Sequence, residues 1–129
     1  MPLKLAGFAA GLMFLAACGS STAPAGGGGG GGGGCTPTAT KICMAGLSFN
    51  PSTLTVSAGM SVTWENGSNT THTVTSATGS TLVYDSGNVP VGSAFSQTFI
   101  TPGTYHYYCK IHGINGNPPS GMAGTITVQ

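Results

Sequence analysis

Four side chains stand out because their types and spacing suit a single metal ion. His112 follows Cys109 after two residues, Met122 follows after nine more, and His72 lies in an earlier segment. Two imidazoles, a thiolate and a thioether form the ligand set of a trigonal copper site with a weak axial sulfur. We therefore predict that His72, Cys109, His112 and Met122 bind one copper ion. In such a site the thiolate donates charge to the metal and the thioether tunes its potential.

Other residues of the same types are less well placed to bind this ion. His106 precedes Cys109 by three residues on one predicted strand, so the two-residue period sends it to the opposite face, where we expect it to be exposed. Met44 shares a predicted strand with core residues, and Met60 follows a turn glycine. A lone cysteine with scattered histidines is usually structural, but the joint pattern of all four ligands in a β-domain favours a metal site.

Short strands separated by turn residues must position these ligands. From residue 41 onward apolar and polar residues alternate, and glycine or proline marks the breaks. The alternation Leu54, Val56, Val62, Trp64 gives each strand one buried face, with Trp64 in the core. About eight strands in roughly 95 residues predict an all-β, two-sheet antiparallel sandwich. The predicted strands are 42–49, 54–57, 61–66, 71–76, 81–85, 94–100, 104–109 and 121–128.

The segments that carry the ligands resemble the plastocyanin, pseudoazurin and azurin group of cupredoxins. The likeness covers residues 41–129 and rests on residues 105–112, on the ending 121–128 and on Phe49-Asn50-Pro51. It implies a cupredoxin-like, eight-stranded Greek-key β-sandwich with copper near one end. It also implies equatorial nitrogens from His72 and His112, equatorial sulfur from Cys109 and axial sulfur from Met122. The family carries single electrons between redox proteins, so the resemblance implies a type 1 (blue) copper protein, not an enzyme, with no small-molecule substrate.

Two departures from the family pattern concern the ligand loops. Plastocyanin-like proteins place four residues between the second histidine and the methionine, whereas nine separate His112 from Met122 here. The longer loop predicts a freer axial methionine, partly stiffened by Pro118 and Pro119. The family also often has asparagine after the first histidine, where this chain has Thr73. A threonine hydroxyl could link the two ligand loops in the same way, but less completely.

The N-terminal third predicts a membrane tether. Residues 1–17 have the layout of a secretory signal and are too short for a convincing transmembrane helix. Leu15-Ala16-Ala17-Cys18 resembles the lipobox of bacterial lipoproteins, which implies lipidation of Cys18 and cleavage before it. An ordinary secretory signal cut near Ala17 is the alternative. Residues 18–34 contain nine consecutive glycines and form a flexible, lipid-anchored linker to the domain at 35–129.

Two cysteines remain after Cys18 and Cys109 are assigned. Cys35 and Cys43 lie eight residues apart at the start of the domain, and outside the cytoplasm they should form a disulfide. A second metal site is the alternative, but it lacks nearby histidines.

Charge and composition restrict the functions further. The chain has three lysines, no arginine and two acidic residues, which excludes the basic surface that nucleic acid requires. The leading prediction is a one-electron carrier outside the cytoplasm, bound through its lipid to the periplasmic side of a bacterial membrane or to the cell surface. A periplasmic copper carrier or storage protein is the alternative, and a surface domain with a vestigial site is a third interpretation.

Overall fold

The computed structural model describes residues 34–129, which form an all-β domain without helices. The predicted signal peptide, the lipidation site at Cys18 and nearly all of the linker lie outside the described residues. Among the described residues, no helix is long and apolar enough to cross a bilayer. The strands are β1 (Lys41–Ala45), β2 (Ser48–Asn50), β3 (Thr53–Val56), β4 (Met60–Asn66), β5 (Thr75–Ser76), β6 (Ala94–Phe99), β7 (Gly103–Ile114) and β8 (Ser120–Val128).

The strands form two four-stranded sheets, in the orders β2-β1-β4-β6 and β3-β8-β7-β5. The eight-stranded, two-sheet sandwich predicted from the sequence is therefore confirmed. The predicted antiparallel pairing holds for four of the six strand pairs, whereas β1 pairs with β4 and β3 pairs with β8 in parallel. Both parallel pairs join strands that are not consecutive, and alternation within a strand carries no information about such partners.

Four predicted strands differ substantially from the observed ones. The predicted strand 104–109 does not end at Cys109 but continues through a bulge to Ile114, as part of β7. The segment 42–49 divides into β1 and β2 at Gly46, which adopts a φ of 56°. The segment 71–76 keeps only β5 as a strand. The segment 81–85 is not a strand: the Ser76 side chain bonds both the N–H and the C=O of Tyr84, and only one bridge joins Thr75 to Asp85.

Aromatic side chains from both sheets fill the space between them. Trp64 is fully buried, as predicted, and its ring lies 5.2 Å from that of Tyr107 in an edge-on arrangement. Edge-on and tilted arrangements suit the charge distribution of aromatic rings. This rigid core supports the ends of β4 and β7, which lie at the same end of the sandwich.

Candidate metal centre

A long bulge between β7 and β8 presents the second half of the ligand set. Tyr108 pairs with Ala123 and Gly113 pairs with Gly121, so residues 109–112 lie opposite the single residue Met122. No side chain fits at Gly113, since a Cβ there would lie 2.6 Å from the Met122 carbonyl oxygen. The bulge turns β7 so that both Cys109 and His112 face the first histidine.

The three donor atoms converge on one point. The Nδ1 atoms of His72 and His112 lie 3.1 Å apart, and Cys109 Sγ lies 3.8 Å and 3.7 Å from them, respectively. Three donors placed trigonally, about 2.0–2.3 Å from a metal, would be about 3.5–4.0 Å apart. The two sulfur–nitrogen separations lie in this range, and the shorter nitrogen–nitrogen separation would correspond to a narrower angle between the two imidazoles at the metal. The donor geometry and the imidazole–thiolate chemistry therefore suit one copper ion. All three ligand atoms lie within 4.8 Å of one another.

His72 is held firmly by its surroundings. It is completely buried, and its backbone exchanges hydrogen bonds of 3.2 and 2.8 Å with Val89. Burial lowers the pKa of His72, and the nearby His112 lowers it further. Both effects favour the neutral imidazole, which is the form that binds a metal.

A buried polar cluster orients the His72 ring from behind. Ser68 Oγ lies 2.8 Å from His72 Nε2, so the ring can donate its Nε2–H to the hydroxyl while Nδ1 faces the metal. Ser68 in turn donates to Asn66 Oδ1 at 2.7 Å, and Asn66 donates to the carbonyls of Thr70 and Val89. Such outer partners fix the orientation of a ligating imidazole. The sequence analysis does not identify Asn66 or Ser68, because nothing in the sequence distinguishes them from ordinary turn residues.

Thr73 connects the two ligand segments. Its N–H donates to Cys109 Sγ at 3.3 Å, and its hydroxyl accepts the Lys110 N–H at 2.8 Å. The hydroxyl also lies 3.1 Å from the Thr75 hydroxyl. Threonine thus supplies the link predicted for this position.

The remaining candidates occupy distinct environments. Met122 is buried beneath the bulge, opposite Cys109 and His112. Met44 is buried in the core, whereas Met60 is 43% exposed. His106 lies on the other face of β7 from Cys109, as its period predicts, but it is half-buried and bonds Thr125 Oγ1 at 2.9 Å.

Cys35 and Cys43 form a disulfide in the structure, with Cα atoms 5.7 Å apart. Cys109 is the free cysteine among the described residues and is buried. Within residues 34–129 the other two cysteines are thus bonded to each other, and the Cys109 thiol remains available to a metal.

Comparison with known proteins decides the family. Residues 37–129 match the family described as copper binding proteins, plastocyanin/azurin family. The chain belongs to this family. It is 35% identical over 99 residues to the plastocyanin of Scenedesmus fuscus, a match that covers 64% of this chain and 88% of that one. A chloroplastic plastocyanin of Physcomitrium patens is 34% identical over 99 residues, and this match covers 64% of the present chain and 51% of that plastocyanin.

Solved cupredoxin structures have the same architecture. A mutant of amicyanin in the oxidised state superposes with a TM-score of 0.61 and 26% identity over 74% of this chain and 86% of its own. A copper-containing nitrite reductase from Thermus scotoductus gives a TM-score of 0.60 and 25% identity, but only 23% of that chain is covered. The likeness to the reductase thus extends to a minor part of that protein.

Membership of this family identifies copper as the cofactor of the cupredoxin domain. The predicted function, one-electron transfer by a type 1 copper site, is confirmed at the level of the family. The cupredoxin fold explains why the ligands lie at the end of the sandwich: β7 and the loop after β4 deliver them there from different sheets.

Proposed function

We propose that this cupredoxin is a lipid-anchored carrier of single electrons outside the cytoplasm of a bacterium. Copper would supply the chemistry by alternating between its Cu(II) and Cu(I) states. The observation that carries the proposal is the asymmetric exposure of a converged ligand set: His72 and Cys109 are fully buried, while His112 is only half-buried. A metal that is shielded from solvent, but has one ligand partly exposed to a partner protein, suits electron exchange.

Met122 is proposed as the fourth, axial ligand. It lies buried opposite the bulge that carries Cys109 and His112, and a thioether is the weak axial donor found in sites of this kind. Four protein donors leave no open position for a substrate, and among residues 34–129 no carboxylate joins the histidines and cysteine of the cluster. These features support an electron carrier and not an enzyme.

The His112 edge is the proposed docking surface for redox proteins. Its neighbours Ile111 and Ile114 are 51% and 68% exposed. Among residues 34–129, every lysine and acidic side chain belongs to one of two ion pairs, Lys41–Glu65 and Lys110–Asp85. Transient docking should therefore depend on apolar contact and only weakly on salt.

The tether is proposed from the sequence. Residues 1–17 would be removed as a lipoprotein signal peptide, Cys18 would carry the lipid, and residues 18–34 would span from the membrane to the domain. Several acyl chains anchor a protein stably, whereas one chain is marginal.

A Cys18→Ser variant tests the anchor. We expect it to leave the membrane fraction or to keep its unprocessed mass, since the thiol that accepts the diacylglyceryl group is gone. Ser20→Ala, two residues away, should remain membrane-bound with the lipidated mass. A Cys18→Ser protein that stays in the membrane fraction with the mass of the parent would refute the lipid assignment.

A periplasmic copper carrier or storage protein is the second candidate, favoured by the half-exposed His112 at the start of the long 113–121 segment. The two functions differ in what leaves the site. An electron carrier gives reversible voltammetry without metal loss, whereas a copper carrier transfers its ion to a competing chelator on the time scale of the measurement.

A further inference from the structure

The start of the domain runs backward along its own first strand. Thr38 bridges to Lys41, which reverses the chain before β1 begins. The disulfide then holds Cys35 against Cys43 in the middle of β1. Traced backward from Lys41, residues 40–35 therefore run toward the end of the sandwich at which β1 finishes, and Cys35 lies nearer to that end than Thr38 does.

That end is the one with the metal ligands. Gly67 follows β4, and a Cβ at this position would lie 2.7 Å from Cys35 Cβ and 3.2 Å from its backbone nitrogen. The next residue, Ser68, contacts the His72 ring. We call this region the ligand end and define it by Gly67, His72, Cys109 and His112. The linker therefore enters the domain at the ligand end.

Two other points of attachment would lie farther away. Without the disulfide, the first fixed residue of the chain would be near Lys41, which pairs with Thr63, three residues before the end of β4. The C-terminus lies at the opposite end, because Val128 pairs with Gly103. Cys109 lies six residue steps along β7 from Gly103, which is a distance of about 20 Å.

We propose that the ligand end is the membrane-proximal face of the tethered protein, and that its partner is a redox protein of the same membrane. This inference rests on the proposed lipid anchor. A Gly-rich tether of the proposed length, from residue 18 to residue 33, would have a root-mean-square span of roughly 20–24 Å. The tether is thus about as long as the distance between the two ends of the domain, so its entry point decides which end stays near the bilayer.

Exposed apolar residues fit this placement. Leu47 is 61% exposed in the turn after β1, at the ligand end, and Ile111 and Ile114 flank His112. The surface carries no unpaired side-chain charge among the described residues that would hold the ligand end away from an anionic headgroup layer. An apolar edge near the membrane suits a protein partner embedded in that membrane.

The test compares two tethers on otherwise matched proteins. In the first, the chain from Cys18 to Gln129 is coupled through Cys18 to a maleimide lipid. In the second, Cys18→Ser removes that attachment, and a copy of residues 19–34 followed by one cysteine is fused after Gln129 and coupled in the same way. Both are bound to vesicles that contain lipids with a reduced viologen headgroup.

Each viologen radical gives one electron to Cu(II), yielding Cu(I) and the viologen dication, and loss of the visible band reports the rate. Moving the tether to the far end adds a rigid arm about as long as the root-mean-square span of the tether, and because the two are independently oriented their lengths add in quadrature. The volume explored by the copper therefore rises, and its effective concentration at the membrane falls, by about three-fold. We expect the rate with headgroup viologen to fall to a similar degree. Soluble viologen should reduce both proteins equally.

A third protein tests the role of the disulfide. Cys35→Ser with Cys43→Ser, coupled through Cys18, should give an intermediate rate, because its tether leaves near Lys41. Its visible band and its rate with soluble viologen show that the site is intact. A rate equal to that of the parent would overturn the role of the disulfide.

Equal rates with headgroup viologen for the Cys18 and Gln129 tethers would overturn the proposal. The lipid is attached chemically, so the outcome does not depend on whether the cell lipidates Cys18. A failure of the copper function itself would appear separately, as a missing visible band before vesicles are added.

Discussion

The two histidines of the metal centre differ in how they are held. His72 is fully buried, with its ring backed by Ser68 and its backbone paired with Val89. His112 is half-buried, and within residues 34–129 its ring nitrogens have hydrogen-bond-distance contacts only to the other two ligands. The His72 ring is therefore held by surrounding residues that are not ligands, whereas the His112 ring contacts mainly the other two ligands.

This difference assigns separate tasks to the two regions. The segment 66–73 provides a rigid, neutral nitrogen and an N–H to the sulfur, so it sets affinity and geometry. The end of β7 provides the thiolate and an exposed edge, so it sets the colour of the site and its access to partners. Substitutions in the two regions should therefore change different measurable properties.

The largest effect is expected from Cys109→Ser, which removes the sulfur that both regions contact. The intense visible band should disappear because the thiolate is its source, while the fold measured by far-ultraviolet circular dichroism should persist. Absorption of the copper-loaded variant beside the parent checks this. A band of undiminished intensity would mean that another sulfur binds the metal.

Ser68→Ala should weaken copper binding by about 10–100-fold, as substitutions behind a metal-binding imidazole typically do. The reason is that His72 Nε2 loses its hydroxyl partner, while Asn66 Oδ1 loses one of the two hydrogen bonds that it accepts from Ser68. Ser96→Ala is the matched control, since this serine bonds Thr63 on the exposed side of β4 and β6. Chelator competition measures both variants. An unchanged copper affinity in Ser68→Ala would show that the hydrogen bond from Ser68 to the His72 ring does not contribute to copper binding.

Replacement of Met122 should move the potential without releasing copper. Met122→Leu should raise the potential, because losing an axial donor destabilises Cu(II) relative to Cu(I), and Met122→Gln should lower it, because an oxygen donor does the reverse. Met44→Leu, in the core, should leave it unchanged and preserve side-chain volume. If voltammetry finds the parent potential in both Met122 variants, Met122 is not the axial ligand.

The smallest effect on the protein itself is expected from Ile114→Ser. Stability should change by no more than about 0.5 kcal/mol, as is usual for exposed sites, and the absorption spectrum should not change. Electron self-exchange between oxidised and reduced copies, measured by nuclear magnetic resonance line broadening, should slow several-fold if the His112 edge is the contact surface. Ile100→Ser, equally exposed but at the far end of β6, should exchange at the parent rate.

Features that depend on local spacing were predictable from the sequence. The pairing of Cys109 with His112 as neighbouring ligands follows from ligand chemistry, and the buried Trp64 and the opposite-facing His106 follow from periodicity, although the bulge that carries both ligands within β7 does not. Their positions need no knowledge of which strands are neighbours.

Features that depend on distant neighbours were not predictable. The parallel β1–β4 and β3–β8 pairs, and the loss of the 81–85 strand to the Ser76 side chain, arise from tertiary contacts. The backing role of Ser68 has a similar origin, since a turn serine carries no sequence signal until folding places it beside an imidazole.

Only the middle part of the segment between His112 and Met122 is a loop, because both of its ends pair as strands. Gly113 pairs with Gly121 and Ile114 with Ser120, so the strands close directly above the ligands and leave only residues 115–119 as a turn. The tip of this turn is held separately, by the bond from the Thr78 N–H to Asn115 Oδ1. The ligand geometry is thereby insulated from the tip of the hairpin. Residues could be inserted or exchanged there during evolution or by engineering, to recognise a new partner, while the redox centre below is inherited unchanged.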